Sequence, residues 1–175
     1  MFRNCVFMFS VLSLLVMGQA VKARAADSCQ PVYNALTKLI TTPSHSYSTQ
    51  TAPLVNGQQR NVETIYVQGK TYMFAKGKWM VSPATPADVL KQELENEKQG
   101  KATCQFLRNE SVNGEAAAVY SMHRETDIAN EDGLIWISKT SALALRKEVD
   151  MDYGGSLGKM HLVARYEYGN VKPPL

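Results

Sequence analysis

The last third of the chain alternates with a period of two. Met160, Leu162, Ala164, Tyr166 and Tyr168 fall on one side of the segment, and Lys159, His161, Arg165 and Glu167 on the other. Side chains of a strand point to opposite faces in turn, so this is a strand with one buried face. The period recurs upstream. Ala116, Ala118, Tyr120 and Met122 share one side of a segment opened by Asn113-Gly114, and Leu143, Leu145, Val149 and Met151 alternate with Ala144, Arg146, Glu148 and Asp150. Gly133 leads into Leu134–Ile137, and Thr103–Leu107 holds Cys104. Earlier still, Ser46–Val55 runs to the turn signal Asn56-Gly57. Corners at Gln68-Gly69-Lys70 and Lys76-Gly77-Lys78 then fold Arg60–Gln68, Thr71–Ala75 and Trp79–Val81 into hairpins. These are short antiparallel hairpins with glycine at the corners.

Two segments break the pattern with helical spacing. Cys29, Val32, Tyr33, Leu36, Leu39 and Ile40 make one apolar stripe, capped by Asp27 or Ser28, with Pro31 in the first turn and Thr41-Thr42-Pro43 at the end. The second helix starts with Thr85 as cap, Pro86 at the first helical position and Asp88 three after the cap, and stops at Gly100. Its inward residues are only Val89, Leu90 and Leu94, so it reads as a lid lying on the surface. One helix, about three strands, a second helix and about five strands make an α+β domain: a curved antiparallel sheet, an incomplete barrel, packed against an N-terminal helix and a lid-like helix.

Residues 1–25 read as a secretory signal peptide, with Arg3 at the start, the apolar run Val6–Met17 and the small-x-small site Ala23-Arg24-Ala25. The run is shorter than the roughly 20 residues that cross a bilayer. The expected division is therefore 1–25 signal peptide and 26–175 a single domain, exported to the periplasm and soluble after cleavage. The segment carries Arg3, Lys22 and Arg24 and no acid, so the net charge of +3 leaves with it and the remaining domain is formally neutral. A neutral domain lacks the basic stripe that nucleic acid requires, and no nucleic-acid partner is expected. Cys5 also leaves, and Cys29 and Cys104 remain as an even pair in an exported chain, which reads as a disulfide.

Catalytic and metal patterns are sparse. Gly154-Gly155-Ser156-Leu157-Gly158 matches G-x-S-x-G, the nucleophile elbow of serine hydrolases. That motif works on a strand-to-helix turn, and here a strand follows, so a hairpin turn is the plainer reading. His45, His123 and His161 are far apart and lack ligand spacing, while Glu148, Asp150 and Asp152 read as a solvated strand face. No metal, cofactor or catalytic residue is expected.

The stretch Gly133-Leu134-Ile135-Trp136-Ile137 followed by Leu143-Ala144-Leu145-Arg146 resembles a hairpin of the LolA-like lipoprotein-carrier superfamily. With its ending Tyr166-Glu167-Tyr168-Gly169-Asn170-Val171-Lys172-Pro173-Pro174, the whole chain resembles a small proteobacterial periplasmic family of that kind. Ala142 and Ala144 stand where that superfamily usually has glycine and proline. The resemblance implies an open antiparallel barrel closed by helices around an apolar cavity, and binding rather than catalysis. The candidate cavity lining is Tyr66, Phe74, Trp79, Tyr120, Trp136 and Tyr166. The function read from the chain is a non-enzymatic binding protein for a lipid, an acylated protein or another hydrophobic ligand, with a lipoprotein as possible partner. The alternatives are a ligand-free envelope interaction or stress protein acting through its surface, and, behind both, a serine hydrolase using Ser156.

Overall fold

The computed structural model describes residues 29–51, 59–99, 101–155 and 158–174. The signal segment, the caps Asp27 and Ser28, the Asn56-Gly57 turn, Gly100 and Ser156 lie outside the described residues. The order is α1 (Gln30–Thr41), β1 (Ser44–Thr51), β2 (Gln59–Val67), β3 (Lys70–Ala75), β4 (Lys78–Val81), α2 (Pro86–Gln99), β5 (Lys101–Val112), β6 (Glu115–Glu125), β7 (Asn130–Ser138), β8 (Ala144–Asp152) and β9 (Lys159–Glu167). Nine antiparallel strands form one curved, open sheet in the order β4-β3-β2-β1-β9-β8-β7-β6-β5. The last strand returns to the middle and joins two meanders, β1–β4 and β5–β9. Four strands precede α2, rather than three, because the polar run Ser44–Thr51 pairs with both β2 and β9.

Both helices lie against one face of the sheet. Val32 and Ala35 of α1 are fully buried there against Met122, Ile135, Ile137 and Ala144. The bridge Cys29–Cys104 fastens the start of α1 to β5, the strand at one end of the sheet. At α2 the capping box forms as its sequence implies. The Thr85 N–H donates to Asp88 Oδ2 at 2.9 Å, and the Asp88 N–H donates to Thr85 Oγ1 at 3.2 Å. The Thr85 hydroxyl also donates to Asp88 Oδ2, at 2.6 Å, and this bond, with the one from the Thr85 N–H, holds the Asp88 carboxyl below its usual range. Val89 and Leu94 remain 39% and 44% exposed, so α2 covers little. Among the described residues no helix is long and apolar enough to cross a membrane.

The opposite face, away from the helices, has a core of its own. Ala117, Val119, Trp136 and Leu145 are buried there beneath Tyr168, whose hydroxyl donates to the Ala144 carbonyl at 2.6 Å. Val171 of the same C-terminal segment packs on Ile65, Val67 and Tyr72. This corrects the expectation that Leu143, Leu145, Val149 and Met151 share one face. The register shifts where Trp136 and Ile137 meet Arg146 and Ala144, so Leu145 turns to the outer face and Ala144 to the helix side. A second shift, between Phe106 and Arg108, runs through β5, which spans twelve residues rather than the five of Thr103–Leu107.

Candidate functional site

A cavity of about 210 Å³, widely open to solvent, lies between the helices and the sheet. Leu39 and Ile40 in the last turn of α1 and Pro86 and Val89 in the first turn of α2 form its roof. Its floor comes from three neighbouring strands and β3: Ser44 and Ser46 of β1, Thr64 and Tyr66 of β2, Thr71 of β3 and Tyr166 of β9. These floor residues meet because the register places Ser44 opposite Tyr66 and Ser46 opposite both Thr64 and Tyr166. None of the described residues lining the cavity carries a charge. Such a site gains by excluding water from an apolar guest and offers no counter-ion to a charged one. Its volume lies below the roughly 300–1,000 Å³ of pockets that take drug-sized ligands. It therefore fits one aliphatic or aromatic group rather than a whole multi-chain lipid.

Burial pushes the Tyr166 hydroxyl up to about 12 from an ordinary 10.0. The folded value lies above the unfolded one, so the neutral phenol favours folding below pH 10, and that contribution disappears as pH rises through about 12. Tyr166→Phe is expected to flatten the loss of stability over this alkaline window, measured by denaturant melts at stepped pH. An unchanged alkaline limb would show that the Tyr166 hydroxyl is not desolvated.

The six aromatic residues singled out from the sequence divide between the two faces. Tyr66, Tyr120 and Tyr166 stand on the helix side; Tyr66 and Tyr166 line the cavity, while Tyr120 packs against the core beneath α1. Phe74, Trp79 and Trp136 stand on the outer face. Phe74 and Trp79 are cross-strand neighbours with ring centres 5.4 Å apart, and Trp136 lies in the outer cluster. The roof residues Leu39, Ile40, Pro86 and Val89 were not among the six, although the helical stripes carried three of them. The hydroxyl-bearing β1 floor has no apolar period at all and so gave no signal.

Two larger depressions, comparably open, lie on the outer face. One, of about 750 Å³, is bordered by His123, Asp132, Glu148 and Asp150. The other, of about 530 Å³, is bordered by Tyr47, Asn61, Phe74 and Arg165. Each histidine faces a carboxylate: His45 meets Glu63 at 2.7 Å, His123 meets Asp132 at 2.7 Å and His161 meets Asp150 at 2.8 Å. The bond to Asp132 raises the basicity of His123. Among the described residues no group of three or more histidine, cysteine or acidic side chains could hold a metal ion. Ser156 lies outside the described residues, and the segment after Gly158 is the strand β9, paired with β8 and β1, not the helix an elbow requires.

No protein-family model matches the sequence, and no curated protein matches it either. Solved structures similar to this chain include LprF from Mycobacterium bovis, at 10% identity and a TM-score of 0.45 over 86% of this chain and 95% of that one. MucB in complex with MucA(peri) aligns at 12% identity and a TM-score of 0.47, and this chain spans 58% of that chain's length. A LolA superfamily protein from Nitrosomonas europaea aligns at 10% identity and a TM-score of 0.30, over 85% of this chain and 95% of that one. At these scores the description of the fold rests on strand order, register and helix placement alone.

Proposed function

We propose that this chain is an exported binding protein that holds a hydrophobic group, from a lipid, an acylated protein or another apolar ligand, between its helices and its sheet. The observation that carries this reading is the uncharged cavity roofed by Leu39, Ile40 and Val89 over Tyr66 and Tyr166. The exposure of Val89 and Leu94 supports it, because a helix held by so little apolar contact can lift to widen the opening. The binding would be non-enzymatic: among the described residues the cavity places no acid, base or nucleophile beyond hydroxyls against its contents.

Titration with the fluorescent fatty acid cis-parinaric acid tests the proposal. The protein is expected to enhance its emission saturably. Val89→Trp, which fills the roof, is expected to weaken the affinity about tenfold or more by removing the guest's space. Val81→Trp, at a position 52% exposed on the outer face, is the control and is expected to leave it unchanged. No uptake by the unaltered protein, or equal uptake after Val89→Trp, would overturn the assignment. A second reading, a surface acting without a ligand, draws on Phe106 and Leu107, 49% and 39% exposed on the end strand β5.

A further inference from the structure

Burial desolvates two tyrosines near the end of the chain, and they differ in one respect. The Tyr168 hydroxyl donates to the Ala144 carbonyl at 2.6 Å on the outer face. Tyr166 packs its ring against the core beneath α1 and lines the cavity between the helices and the sheet. Among the described residues its hydroxyl makes no hydrogen bond. Burial by itself, with no bond to a neighbour, pushes this hydroxyl up to about 12.

The neighbours set by the register do not supply an acceptor. Ser46, directly opposite Tyr166, turns its own hydroxyl proton to the Thr64 carbonyl at 3.4 Å. The roof residues Leu39, Ile40 and Val89 have no polar side chain. Water entering from the open side can meet the Tyr166 hydroxyl. A wholly apolar guest displaces that water and puts nothing in its place, whereas a guest with an acceptor keeps the bond. A site built around such a donor therefore selects against the analogue that lacks the acceptor. Charge decides the kind of acceptor. None of the described residues lining the cavity carries a charge, so an entering carboxylate would lose its hydration with no counter-ion to replace it. A neutral carbonyl loses less and still accepts through its oxygen.

We propose that the Tyr166 hydroxyl donates to the carbonyl of an acyl chain joined through an ester or amide, so that the cavity selects neutral acylated molecules over free fatty acids. The chain lies under Leu39, Ile40 and Val89, and its carbonyl faces Tyr166. This inference rests on the binding function proposed above and adds to it the linkage that the site recognises.

Titrations of the purified protein with methyl octanoate, N-methyloctanamide, octanoate and octane test this, at about pH 8, where octanoate is ionised. The readout is the methyl NMR signals of Leu39, Ile40 and Val89. The ester and the amide are each expected to bind about tenfold more tightly than octanoate, and the ratio between them tells an ester-linked chain from an amide-linked one. Tyr166→Phe keeps the ring that packs on the core. It is expected to weaken the ester and the amide about tenfold and to leave octane binding in place. Tyr120→Phe, at a ring that packs on the core outside the cavity, is expected to change none of the four. Ester and amide binding unaltered by Tyr166→Phe, an equal loss for octane, or octanoate binding as tightly as methyl octanoate would overturn the carbonyl assignment and leave the apolar cavity standing. No shift of Leu39, Ile40 or Val89 with any of the four ligands would overturn the binding function, and this inference with it.

Discussion

Reducing the Cys29–Cys104 bridge is expected to lower stability by about 4 kcal/mol, the chain-entropy value for closing a loop of 75 residues. For a domain of this size that corresponds to a fall in melting temperature of roughly 10 °C. The location of the bond makes the effect more than a generic cross-link. Among the described residues, Cys29 opens α1 without a side-chain cap bond, and Cys104 sits on β5, which has a neighbour on one side only. Both are buried, at 5% and 8% exposure, so the bridge also anchors the helix over the core at Met122 and Ile135. Without it, α1 is held chiefly by Val32 and Ala35, and β5 loses its tie to the helix layer. Urea melts of the oxidised protein and of a Cys29→Ala, Cys104→Ala variant measure the difference. Hydrogen exchange should accelerate first in α1 and β5. A loss under about 1 kcal/mol would mean that the unfolded chain gains little freedom when the bond is absent.

Much of the fold was legible because its elements satisfy their local rules. The stripe Val32, Leu36, Leu39 has helical period, and Gly69, Gly77 and Gly114 sit at corners where the backbone has positive φ. The alternation Met160, Leu162, Ala164, Tyr166 places those residues on the helix side, as expected from a strand. What escaped was decided by pairing between strands. A single bulge at β7–β8 reverses the face of Leu145, and no property of Leu145 itself announces it. The stretch Gln105–Ser111 carries no clear period because β5 is an end strand whose side chains are mostly exposed and whose register shifts at Leu107. The candidate site was legible in part. Tyr66 and Tyr166 were identified by being aromatic in a strand, but that property does not say which face they occupy, and Phe74, Trp79 and Trp136 went to the other. The uninterrupted run Leu134-Ile135-Trp136-Ile137 was the one available clue that β7 is buried on both faces.

Trp136→Ala is expected to cost about 3–5 kcal/mol. On a sheet with only one buried face, a tryptophan opposite the helices would be a surface residue, and its removal would cost little. Here Trp136 is 4% exposed, packed with Val119 and Leu145, covered by Tyr168 and lying beneath the Arg146 guanidinium. Its indole N–H donates to Glu110, which Arg108 also engages. Those two bonds, the indole first, hold the Glu110 carboxyl below its ordinary value. A depressed folded value means that this contribution to stability is present above the unfolded value and is lost as pH falls through the folded one. Trp136→Phe separates the two effects. It keeps most of the apolar contact, is expected to cost about 1 kcal/mol for the lost hydrogen bond, and should return Glu110 toward its ordinary titration by NMR. Equal losses for Trp136→Ala and Trp136→Phe would assign the stabilisation to the hydrogen bond alone. A loss under about 1 kcal/mol for Trp136→Ala would mean that the outer face holds no core. The expected order, alanine well above phenylalanine, follows from a domain whose sheet is packed on both sides, with its C-terminal segment doing on one face what α1 does on the other.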